Sequence, residues 1–130
     1  MNELQVLAEL HKFLNSLGPM QISLPSKNFT IGYTPRTFWG QQIKFATVNG
    51  DKKYQCLTLH VDPGNPESTK GKTIQKEVHQ LFQFDINELR TIKLKKHEIY
   101  IPFEVINSKE KMNILKDIIH KQFEIVMANK

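Results

Sequence analysis

The chain is expected to be α+β, with a mostly antiparallel sheet of five or six strands and N- and C-terminal helices packed on it. Three observations predict this. Residues 28–62 hold three successive segments of period-two alternation joined by turns. Both ends of the chain carry apolar residues at three- and four-residue spacing. The strands come as a run between helices rather than alternating with them, which indicates an α+β arrangement.

The first helix is predicted over residues 3–17. Leu4, Leu7, Leu10, Leu14 and Leu17 form its stripe, which Val6 and Phe13 widen, and Gly18-Pro19 ends it. A short strand follows at 21–24, cut at Pro25. Next come strands at 28–33, 42–48 and 54–61. In the second of these, Ile43, Phe45 and Thr47 are assigned to one face, with Lys44, Ala46 and Val48 on the other. In the third, Cys56, Thr58 and His60 oppose Leu57, Leu59 and Val61. Asn49-Gly50-Asp51 is the strongest hairpin signal, because Asn and Gly tolerate the positive φ of a tight turn. A longer turn spans 34–40.

Residues 62–76 read as a long loop, and such loops are usually functional or mobile. Residues 73–84 fit a helix through Ile74, Val78, Leu81 and Phe82. They also alternate toward the end, and extended structure is favoured there because Phe82 and Phe84 then share a face. Asp85 caps a short turn over 86–90. Residues 91–96 alternate as a strand, and 97–105 form another, in which Pro102 indicates an edge or a bulge. Ser108 caps the last helix, through about residue 127, with Met112, Leu115, Ile118, Ile119, Gln122, Phe123 and Val126 as its buried stripe.

At 130 residues the chain (1–130) is expected to be a single domain. It has one cysteine, so no intrachain disulfide framework, and a reducing, cytoplasmic setting is expected. No signal peptide and no run of membrane-spanning length is visible. The net charge of +5 and pI near 9.3 favour anionic partners.

The residues offer little to an enzyme. Cys56 and His60 share a strand face but stand roughly 13 Å apart, too far to activate one another. The five histidines are scattered with no ligand-pair spacing, so no metal is expected. Lys70-Gly71-Lys72-Thr73 lacks the first glycine of a phosphate loop. No catalytic residue and no cofactor is assigned.

The most informative feature is electrostatic. Residues 10–50 contain no Asp or Glu, yet hold Lys12, Lys27, Arg36 and Lys44. Within that stretch Arg36, Phe38 and Trp39 place a cation and two large aromatics on one turn, suited to phosphate contact and base stacking. Lys44, Lys93, Lys95 and Lys96 extend the candidate nucleic-acid-binding set.

The order of features resembles a bacterial and archaeal domain family, often labelled "predicted transport protein", that occurs alone or fused to restriction- and nuclease-like modules. The resemblance rests on Leu14-Asn15-Ser16-Leu17-Gly18, Lys27-Asn28-Phe29-Thr30-Ile31-Gly32-Tyr33, Phe45-Ala46-Thr47-Val48, Leu57-Thr58-Leu59-His60-Val61-Asp62-Pro63, Ile101-Pro102-Phe103 and Ser108-Lys109-Glu110-Lys111. Lys93 to His97 stands where such domains tend to be glycine-rich. The resemblance implies a small accessory or nucleic-acid-associated domain. The topology is also similar to YjbR/MmcQ-type α+β domains, whose hairpins are suspected DNA-binding wings.

The expectation is a non-enzymatic module binding DNA or RNA through phosphate, with no membrane partner. The alternative is a protein-interaction module or homodimer, docking through the Phe38-Trp39 turn or the Pro102 edge. An enzyme with an unrecognised site is the third reading.

Overall fold

The computed structural model describes residues 1–24, 29–36, 43–51, 55–89 and 94–128. Helix α1 (Glu3–Ser16) leads into strands β1 (Met20–Ser23), β2 (Thr30–Pro35), β3 (Ala46–Asn49) and β4 (Cys56–His60). Helices α2 (Lys70–Phe82) and α3 (Ile86–Leu89) precede β5 (Glu98–Pro102). A 3-10 turn (Phe103–Val105) then leads to the long helix α4 (Lys109–Ala128). The five strands form one antiparallel meander in the order β1-β2-β3-β4-β5.

The strand periodicity assigns the two sheet faces. Tyr33, Ala46, Val48, Leu57, Leu59, Ile99 and Ile101 line one face and are fully buried. Against them pack Val6, Leu10 and Leu14 of α1, and Met112, Leu115 and Ile119 of α4. The buried Tyr33 hydroxyl lies 2.7 Å from His11 Nδ1 and ties α1 to the sheet. Burial pushes that phenol up to about 12. Lys116 Nζ reaches Glu9 Oε2 at 2.9 Å and joins the two helices at the surface.

The helix termini follow their sequence signals. Asn2 and Gln5 form a capping box at α1. Asp85 Oδ1 accepts from the Asn87 N–H at the start of α3, and Ser108 Oγ accepts from the Lys111 N–H at α4. The α1 stripe is narrower than its leucines suggest: Leu4 is 75% exposed, because the buried row is Val6, Leu10 and Leu14.

Three segments depart from the sequence reading. Residues 70–82 are helical throughout, so the extended assignment near Phe82 is corrected, and the loop before them is correspondingly shorter. Gly71, Gln75, Val78 and Phe82 are the buried row of α2, a helical spacing that the alternation at its end obscured. The helix stops where Gln83 takes a left-handed conformation (φ 55°). Leu94 and Lys95 are not strand, and Lys96 and His97 form a turn into β5. Finally, the β3–β4 connection is not a tight Asn-Gly hairpin. β3 ends at Asn49 and β4 starts at Cys56, and Gly50 does not have a positive φ. Gly50 is required by close approach instead, since a Cβ there would sit 2.5 Å from the Phe29 ring.

A β-bulge sets the face of the residues before β3. Phe45 N donates to Tyr33 O at 2.8 Å, while the ladder pairs Tyr33 with Ala46. Two residues therefore oppose one, and both Phe45 and Ala46 are buried. Phe45 meets Phe123 of α4 edge-on, with ring centroids 5.3 Å apart. The expected alternation, with Phe45 opposite Ala46, fails for this reason, and Lys44 is turned out over the other face.

Leu10→Ala is expected to lower unfolding stability by about 2–5 kcal/mol, and Leu4→Ala by no more than about 0.5, in urea denaturation. Gly71→Ala is expected to destabilise by about 1–3 kcal/mol despite alanine's helix propensity. Its Cβ would lie 2.5 Å from Glu98 N and 2.6 Å from Lys96 O, both backbone atoms.

Candidate functional site: a basic sheet end and a buried relay

The meander brings distant cations to one end of the sheet. Pro35 of β2 pairs with Met20, Tyr33 with Ala46, Ala46 with Leu59, and His60 with Glu98. Arg36 leaves β2 at this end, its N–H donating to Pro19 O at 2.9 Å. Lys44 enters β3 here, and Lys95 and Lys96 enter β5 here. From β2 to β5 is three strand spacings, about 14 Å.

Their local partners differ. Arg36 and Lys44 are exposed, and among the described residues neither makes an ion pair. Lys96 Nζ lies 3.1 Å from Glu67 Oε2, and Lys95 Nζ lies 3.6 Å from Glu98 Oε1. Beside these lysines is a cleft of about 570 Å³ lined by Pro66, Glu67, Leu94, Lys95, Lys96 and His97. His97 Nδ1 is buried there, with no hydrogen-bond partner among the described residues. Phe38, Trp39 and Lys93 of the sequence-derived set lie outside the described residues, as does Lys27.

The sheet face opposite the core is polar. Thr47, Thr58 and Tyr100 stand side by side across β3, β4 and β5, with His60 one step along β4. Thr47 Oγ1 is 3.1 Å from His60 Nε2. His60 Nδ1 contacts Glu98 Oε2 directly. The Tyr100 hydroxyl donates to Glu98 Oε1 at 2.9 Å. These groups form a chain from threonine through imidazole to a carboxylate that is only 6% exposed.

The electrostatics of Glu98 follow from these contacts. Burial alone pushes its carboxyl up. The hydrogen bond and charge of His60, the Tyr100 hydroxyl and Lys95 outweigh that and hold it at about 2. Tyr100 is pushed up by burial first, and then by the charge and hydrogen bond of Glu98. An ionised Glu98 only accepts hydrogen bonds, so His60 Nδ1 carries a proton. In the neutral imidazole, Nε2 is then free to accept from Thr47.

Sequence reasoning placed Cys56 and His60 on one face and correctly kept them apart, but it missed Glu98 and Thr47 as partners of His60. The only available signal was an isolated Glu at the start of an apolar strand. Among the described residues no group of His, Cys, Asp and Glu is arranged to hold a metal ion. Among them, too, no helix is long and apolar enough to cross a membrane.

Glu98 titrates well below its ordinary 4.5 in the folded chain, so its stabilising contribution is present above about pH 4.5 and is lost as pH falls toward about 2. Urea denaturation across this window is expected to show a steeper acid limb for the native chain than for Glu98→Gln, the difference reaching roughly 3 kcal/mol. Comparison with protein-family models, with curated proteins and with solved structures finds no match for this chain.

Proposed function

We propose that the chain is a nucleic-acid-binding module that engages phosphate at the basic end of the sheet. One observation carries this reading: Arg36, Lys44, Lys95 and Lys96, scattered over 61 residues of sequence, are delivered to one sheet end by the meander register. Arg36 and Lys44 are exposed and make no ion pair among the described residues, which suits them to phosphate. The Lys96–Glu67 pair is exposed and worth little, so a phosphate can replace the carboxylate. The neighbouring cleft offers Leu94 and Pro66 as an apolar floor between cations, suited to an unstacked base. Such binding is dominated by counterion release and carries little sequence preference.

One observation favours a second reading, self-association through β1. Among the described residues no strand pairs with its outer edge, and Ile22 (37%), Leu24 (71%) and Phe29 (58%) are exposed. Residues 20–24 contain no charge and no proline, the usual guards of an edge strand. Antiparallel pairing of two β1 strands would place apolar side chains on one face and polar ones on the other in both copies.

Fluorescence anisotropy with labelled single- and double-stranded DNA and RNA tests the first reading. Micromolar binding that weakens with salt is expected, with Arg36→Ala and Lys44→Ala each lowering the salt slope by about one. No binding at low salt overturns it. Sedimentation tests the second: a dimer that is insensitive to salt and is abolished by Ile22→Lys is expected, and a monomer at high concentration overturns it.

A further inference from the structure

The Thr47–His60–Glu98 chain has the wiring of an activated hydroxyl, and its surroundings add the remaining part. Glu98 uses both oxygens, Oε1 for the Tyr100 hydroxyl and Oε2 for His60 Nδ1. The carboxylate is therefore fixed in orientation, and it fixes the imidazole tautomer in turn. Nε2 faces the Thr47 hydroxyl at 3.1 Å, within reach for proton transfer. His60 is 19% exposed and Thr47 is half-buried, so the hydroxyl borders solvent rather than lying in the core.

A cation lies over the same face. Gly32 is the cross-strand partner of Thr47. A Cβ on Gly32 would lie 3.0 Å from Lys44 Cε and 3.3 Å from Lys44 Nζ. The glycine thus leaves the space in which the lysine side chain crosses the sheet. Opposed Cβ positions are about 5 Å apart, so the ammonium lies within roughly 8 Å of the Thr47 Cβ. It is exposed, free of ion pairs among the described residues, and on the same face as the hydroxyl. Nucleophile, base, orienting carboxylate and cation are thus contributed by three adjacent strands and the bulge before β3.

We infer that Thr47 is a nucleophile toward small carboxylic esters, with His60 as its general base and Lys44 facing the developing oxyanion. Thr47 Oγ bonds to the ester carbonyl carbon as its proton passes to His60 Nε2. The carbonyl π pair moves to oxygen and is stabilised by the Lys44 ammonium. That pair then returns, the bond to the leaving oxygen breaks, and His60 gives its proton to the departing alcohol. Water, deprotonated by His60, attacks the acyl-threonine, and Thr47 leaves with the proton restored. Glu98 touches no substrate atom and is a positioning residue that holds His60. This site shares Lys44 with the basic end, and its chemistry does not require nucleic acid to bind there.

Treatment of the full chain with a fluorophosphonate probe, followed by peptide mass spectrometry, tests the inference. Attack by Thr47 Oγ on phosphorus expels fluoride, and the hydroxyl proton goes to His60. Modification of Thr47 is expected, retained in Thr47→Ser and absent in Thr47→Val. His60→Gln and Glu98→Gln are each expected to slow it by at least about a hundredfold and to alter its pH profile. Thermal melts identify variants that remain folded. In the folded native chain, absence of label on Thr47 at every pH overturns the inference. So does labelling at an unchanged rate in folded His60→Gln.

Discussion

The buried Gln75 side chain closes one edge of the sheet, and much of the rest depends on that closure. β5 is the last strand, so Tyr100 directs its N–H and C=O away from β4 with no strand to receive them. The Gln75 amide supplies both partners: Tyr100 N donates to Oε1 at 2.6 Å, and Nε2 donates to Tyr100 O at 2.8 Å. One side chain thus substitutes for a sixth strand. Buried backbone groups left without partners cost on the order of 1–3 kcal/mol each, so this pairing determines where α2 can lie. Gly71 follows from it, because the helix must approach the Lys96–Glu98 backbone without a Cβ between them. Val78 and Phe82 then reach the core from the same row.

Closure at β5 also creates the dry side of the polar face. Glu98 is buried at the start of the capped strand, where an unpaired carboxylate would be costly. His60 and Tyr100 satisfy both of its oxygens. At the opposite edge no helix among the described residues plays this part, and β1 is exposed from Gln21 to Ser23. The two edges of one sheet therefore differ among the described residues: one is closed by a helix and joined to a polar cluster, and the other carries the exposed residues of β1.

The bulge at Phe45 and Ala46 links core to surface. Without the extra residue, Lys44 would share the side of Ala46 and Val48. With it, Phe45 fills the core against Phe123, and Lys44 crosses the polar face above Gly32. A local change in strand register thus places a cation on the face that carries Thr47 and at the same sheet end as Arg36.

The sequence by itself determined the α+β class and the terminal helices with their capping residues. It also determined the buried faces of β4 and β5, because these follow from local periodicity and side-chain chemistry that any stretch of chain carries within itself. Leu57, Leu59, Ile99 and Ile101 declare their face by alternation, and Ser108 and Asp85 act on amides two or three residues away. Only the tertiary structure decided the rest. Whether residues 70–82 coil depended on Gln75 finding Tyr100, 25 residues on. Which way Phe45 points depended on a bulge against β2. That Thr47, His60 and Glu98 meet depended on three strands being laid side by side. Contacts between residues far apart in the chain are set by register, and register arises when the whole sheet is assembled against its helices.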